Sequence, residues 1–166
     1  MGKTGRVDLL IAGILVAVVG TGVAAGVFFA FSAFVVQGLD RLPEADAARA
    51  MRAVNVTAVR WPLMLELFGT ALLLAVLAVA SLLRPGSGIT WWVVASAALY
   101  LVTVVFVTGG GNVPRNNALA AAPDEPEGLA AAWRAFRAGW MGWNHVRTLG
   151  AAASSALLAV GLVAAG

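Results

Sequence analysis

Leu63-Met-Leu-Glu-Leu-Phe-Gly-Thr-Ala-Leu-Leu-Leu-Ala-Val-Leu-Ala-Val-Ala-Ser-Leu-Leu83 decides the fold. The stretch holds one ionisable side chain, Glu66, and is bounded by Trp61-Pro62 and Arg84-Pro85. An α-helix needs roughly 17–25 such residues to cross a hydrocarbon layer of about 30 Å. Working outward, Leu9–Leu39, Ile89–Gly111 and Thr148–Ala165 are apolar runs of the same kind. Inside the four runs the ionisable side chains are Glu66 and Tyr100. The prediction is an all-α integral membrane protein, an up-down-up-down four-helix bundle. A carboxylate inside such a bundle is costly, so Glu66 is a candidate functional residue.

The bulk composition agrees. The chain is 61% hydrophobic and 11% charged, against about 25% charged in soluble domains. A single four-helix domain over residues 1–166 is expected, since its spans and links use the whole length. With no cysteine, disulfides, thiolate nucleophiles and cysteine-held zinc or iron–sulfur clusters are excluded. A pI near 10.6 invites nucleic acid as a partner. The basic residues flank the spans instead, which points to topology and anionic headgroups, and no nucleic-acid partner is expected. Met1-Gly-Lys-Thr-Gly-Arg6 resembles the start of a signal peptide. The apolar run behind it is too long for one, and Val23-Ala24-Ala25 lies inside it, so an uncleaved first span is expected.

The termini share one membrane face with the tight turn Arg84-Pro85-Gly86-Ser87-Gly88. The two longer links share the other. In the first, Pro43, Glu44 and Asp46 suit a helix start, and Met51, Val54, Asn55 and Ala58 line one side. A short amphipathic helix at the interface is expected there. In the second, Asp124 with Glu127 resembles a capping box opening a helix that runs into the last span. Along it Trp133, Phe136, Arg137, Trp140, Trp143, Asn144, Arg147, Ala151 and Ser154 recur at spacings of three and four, one face of a helix turned to the bundle or to a cavity. Gly22-xxx-Gly26 suggests a close helix contact. Lys3, Arg6 and Arg84 stand on the terminal face and the other basic residues on the long-link face, so the positive-inside rule puts the long links in the cytoplasm. The Ala-, Gly-, Val- and Leu-rich composition suits a bacterial cell membrane.

This topology gathers one end of every span. Glu66, Asn112, Asn116, Asn144 and Arg147 all lie at those ends. Unpaired polar groups in an apolar medium cost several kcal/mol each, so these groups must pair. A structural clamp, with Arg147 on Glu66, is one reading. The other is a polar pocket lined by Phe29, Trp140 and Trp143 for a flat apolar ligand. His145, the single histidine, falls about 140° from Trp140 around the helix, off the stripe. No metal or haem ligand set is evident.

Gly26-Val-Phe-Phe-Ala-Phe-Ser32, Met51 to Asn55, Asn112-Val-Pro-Arg-Asn-Asn-Ala-Leu119 and Trp140-Met-Gly-Trp-Asn-His-Val-Arg-Thr148 resemble, in order, blocks of the anthrone oxygenase family of small four-span membrane proteins. The Asn-x-Pro-x-Asn and Trp-Asn-x-x-Arg-Thr blocks carry most of the resemblance. Val36-Gln37, Trp61-Pro62 and Arg115 depart from the family's usual Met-Pro, Asn-Pro and apolar residue. The resemblance implies oxidation of an anthrone by dioxygen to an anthraquinone, with no metal, flavin or other cofactor. On that basis Asn112, Asn144 and Arg147 would hold an oxyanion and Glu66 would be the general base, the four catalytic candidates. Phe29, Asn55, Asn116, Trp140 and Trp143 are the substrate-binding candidates.

Three functions therefore compete: a membrane oxygenase for an anthrone-like or phenolic polyketide, a non-enzymatic protein binding a lipophilic metabolite or a partner membrane protein, and a small transporter working as a homo-oligomer. The absence of an internal repeat argues against an ordinary secondary transporter.

Overall fold

Residues 3–84 and 88–165 are described by the computed structural model, with the backbone alone for residues 3–8. Helix α1 (Lys3–Ala30) passes through a π-helical turn at Phe31–Val35 into α2 (Val36–Leu39). Helix α3 (Glu44–Ala58) follows, then α4 (Trp61–Leu82). Helix α5 (Thr90–Tyr100) continues through π-helical segments Leu101–Phe106 and Thr108–Asn112 into α6 (Val113–Ala120). Helix α7 (Pro126–Ala165) is one rod of 40 residues. No strand occurs among the described residues.

Four helices are long and apolar enough to span a membrane: Leu9–Leu39, Trp61–Leu82, Thr90–Ala120 and Pro126–Ala165. The chain is an all-α integral membrane protein. The third helix runs further than expected, through Pro114 to Ala120. Proline removes a backbone donor, and here it falls in the first turn of α6 directly after π-helical backbone. The bundle is a ring. Helix α1 packs on α4 and α7, and α5 packs on the same two.

In the spans, Ile14, Ala17, Thr21, Ala24 and Phe28 point inward at spacings of three and four. Leu15, Val16, Val19 and Val23 on the same helix are exposed, as suits side chains facing lipid. Small residues set the helix contacts. A Cβ on Gly150 would collide with Thr103, and one on Gly161 with Trp92. The predicted pair behaves otherwise. Gly26 has nothing within 4 Å of a built Cβ, and Gly22 meets only Ser155 at 3.8 Å. The close approach belongs to α5 and α7, where Ser96 and Ser154 bond through their hydroxyls at 2.7 Å.

The long links build a cap with its own core. Ala47, Ala48 and Met51 of α3 meet Leu119 of α6, Val36 of α2, and Leu129, Trp133, Phe136 and Trp140 of α7. Helix α3 is amphipathic as expected, and its apolar face packs on α7. The Arg52 guanidinium ties α3 to the link before α7, donating to the carbonyls of Leu119 and Ala122 and to Asp124. Asp124 therefore pairs with Arg52 and stands outside α7, which starts at Pro126; the capping box does not form. Arg137 binds Asp40 and Arg134 binds Glu44, stitching α7 to the start of the first link. The predicted turn at 84–88 falls largely on residues 85–87, outside the described residues.

Candidate functional site

A polar cluster sits where the cap meets the spans. Asn144 is fully buried on α7. Its Nδ2 donates to the Phe28 carbonyl at 2.8 Å and to Ser32 Oγ at 2.8 Å. Its Oδ1 accepts from Arg147 Nη2 at 2.7 Å. One helical turn along, Arg147 is 7% exposed and reaches Thr108 with Nη1 at 3.3 Å. Its guanidinium carbon lies 4.3 Å from the Phe28 ring centre and 5.4 Å from that of Trp140. Asn112 is buried and donates to the Trp140 carbonyl at 3.3 Å. Trp140 in turn donates its indole N–H to Asn116 at 2.9 Å. Ser32, Thr108 and Asn112 all stand in π-helical segments. Such segments re-aim side chains and are frequent at functional sites.

Two features of this cluster are chemically unusual. The buried guanidinium forms no ion pair with any carboxylate among the described residues; the ion pairs there all lie in the cap. Removing a cation from water without a counter-charge is expensive, and the faces of Phe28 and Trp140 offset only part of that cost. In addition, the cluster leaves one donor and one acceptor unused. Arg147 Nε and Asn112 Oδ1 are buried without partners. Native proteins leave few such atoms.

Of the residues expected here, Asn112, Asn116, Asn144, Arg147 and Trp140 come together, and others do not. Glu66 stands on α4, which packs on α1 and α5. It bonds Thr70 at 3.5 Å, lines a groove with α1 residues, and makes no ion pair with Arg147. The predicted clamp between Arg147 and Glu66 is absent. Phe29 is 59% exposed and turned away; its neighbour Phe28 takes the place under Arg147. Trp143 is 41% exposed, packed over Gly111 and beneath Arg115, at the rim. Arg137, predicted on the inward stripe, is exposed and belongs to the cap's ion pairs. Asn55 is half-buried on α3 with its Nδ2 unpartnered. His145 is exposed.

Phe28, Ser32, Thr108 and Thr148 were missed. Phe28 was legible, since it continues the Ile14–Ala17–Thr21–Ala24 stripe and Phe29 does not. Thr148 shares the Ser32 end of the cluster, 3.4 Å from that hydroxyl. Thr108 had only the following Gly109-Gly110-Gly111 as a signal of irregular helix.

No curated protein and no solved structure matches the chain. A model of the anthrone oxygenase family matches residues 61–157. That region includes Asn112, Asn116, Trp140, Asn144 and Arg147, and leaves out Phe28 and Ser32. With more than half of its length matched, the chain belongs to the anthrone oxygenase family.

Proposed function

We propose that the protein is a membrane-embedded oxygenase that oxidises a flat, anthrone-like phenolic substrate with dioxygen, and that Arg147 holds the substrate's oxyanion. The observation that carries this reading is the buried guanidinium with no carboxylate beside it. An anthrone has an acidic benzylic C–H because loss of the proton gives an extended aromatic enolate. The negative charge of that enolate sits on oxygen, and Arg147 and its neighbours are fixed donors for such a charge in a water-poor site. The spare Nε–H suits the oxyanion, and the spare Asn112 carbonyl suits a hydroxyl on the same ring system.

The chemistry then balances without a further reactant. The benzylic proton passes to water, the enolate passes electrons to dioxygen, and the peroxide anion formed takes a proton back. A carbon–oxygen bond forms, and the resulting hydroperoxide loses its remaining benzylic hydrogen and one oxygen as water. One oxygen atom stays as the quinone carbonyl. In this reading Glu66 is not the base that takes the benzylic proton of a substrate held at Arg147, because it faces a different groove on a helix that packs on α1 and α5.

The test is oxygen uptake by purified protein in lipid given an anthrone. One dioxygen per anthrone, anthraquinone as product and insensitivity to chelators are expected. Tight anthrone binding with no uptake above protein-free lipid would favour the carrier reading and overturn this one.

A further inference from the structure

A second site lies on the lipid side of the bundle, between α1 and α4. Val16, Val19, Gly20, Val23, Leu65, Glu66, Gly69, Thr70 and Leu73 enclose an open groove of about 430 Å³. Val16, Val19, Val23 and Leu65 are exposed, so the groove opens sideways into the bilayer. From Val16 to Val23 it follows about 10 Å of helix, the length of two or three fused rings. Two glycines shape it. A Cβ on Gly20 would collide with the Thr70 hydroxyl, so the missing side chain is what lets Thr70 reach the floor. A Cβ on Gly69 would meet only Leu65, at 3.8 Å, and leaves the slot flat.

Glu66, the acid within the apolar runs of the sequence, stands in this slot. Glu66 Oε1 accepts the Thr70 hydroxyl at 3.5 Å, a weak bond that leaves this oxygen acceptor capacity, and Oε2 is buried without a partner. The carboxyl therefore keeps unused acceptor capacity in an apolar setting, where every missing hydrogen bond is costly. What reaches it must come from the lipid phase, must be slender and apolar, and must carry a donor. A neutral hydroxyl meets these terms without bringing a second ion out of water.

We propose that the groove binds a planar, lipid-soluble phenol whose O–H donates to the Glu66 carboxyl. This site is separate from the Arg147 cluster, and its occupancy needs no turnover.

Dicyclohexylcarbodiimide reacts with carboxyls in apolar surroundings and adds a mass that peptide mapping locates. In the full-length protein in phosphatidylcholine nanodiscs, Glu66 should be labelled. 1-Naphthol should slow the labelling roughly fivefold more than 1-methoxynaphthalene, the worth of one hydrogen bond. Gly69→Leu, whose side chain grows into open space, should label at Glu66 but lose the naphthol effect. Equal protection by the two naphthalenes, protection by neither, or naphthol protection surviving in Gly69→Leu would each overturn the proposal. Failure of anthrone oxidation leaves all these outcomes unaffected.

Discussion

Arg147 and Glu66 are the two charged side chains nearest the heart of the bundle, and they are solved in opposite ways. Arg147 is wrapped: Asn144 and Thr108 bond it, Phe28 and Trp140 cover it, and Thr108 stands in a π-helical segment. Glu66 is left at an open groove with one long bond from its own helix. Opposite charges at the same end of a membrane bundle would be expected to find each other. That they do not, because α4 and α7 stand across the ring, leaves a cation that lacks an anion and a carboxyl oxygen that lacks a donor.

Substitutions can break this contrast or sharpen it. Arg147→Gln removes the positive charge from the oxyanion position, and anthrone-dependent oxygen uptake should fall by about 10²–10³, as when an oxyanion-hole donor is lost. Stopped-flow or electrode rates at saturating anthrone measure it; activity near wild type would reduce Arg147 to a structural role. Phe28→Leu should lower the same rate by roughly three- to tenfold through loss of a cation–π face, while its neighbour Phe29→Leu leaves it unchanged. Equal effects at the two positions would mean that the phenylalanines act only through the helix. Asn112→Leu takes away the unused acceptor and should raise KM for a hydroxylated anthrone about fivefold, with little change for an anthrone lacking that hydroxyl. Glu66→Leu should raise thermal stability in micelles by about 1 kcal/mol, since an unsatisfied acid is held at a cost to the fold. A loss of stability there would show that the acid has a structural partner.

The spans, their order and the inward stripe of α7 were legible in the sequence because hydropathy and the spacing of three and four survive in any helical bundle. Gathering Asn112, Asn116, Asn144 and Arg147 followed from antiparallel topology alone. Two things did not follow. Topology brings ends together but says nothing about which helices sit diagonally, so Glu66 was paired with an arginine across the ring. The π-helical turns shift the phase of a helix by one residue, which no regular period anticipates; Ser32 and Thr108 lie in those turns or at their edges. The cap was misjudged for a third reason. Helix α3 has the amphipathic pattern of a surface-lying helix, and only its fit to Trp133 and Phe136 shows that its apolar face is taken.

The central claim is that Arg147 is kept without a counter-charge so that the substrate can supply one. Asn144→Asp tests it most directly, because it places a carboxylate where Arg147 already bonds, at the cost of the two hydrogen bonds that Asn144 Nδ2 donates to Phe28 and Ser32. Oxygen uptake and thermal unfolding measured on the same preparation should then diverge, with uptake falling by about 10²-fold while the new ion pair offsets the loss of the two donor bonds and the protein stays folded. Uptake equal to that of the parent protein would contradict the claim.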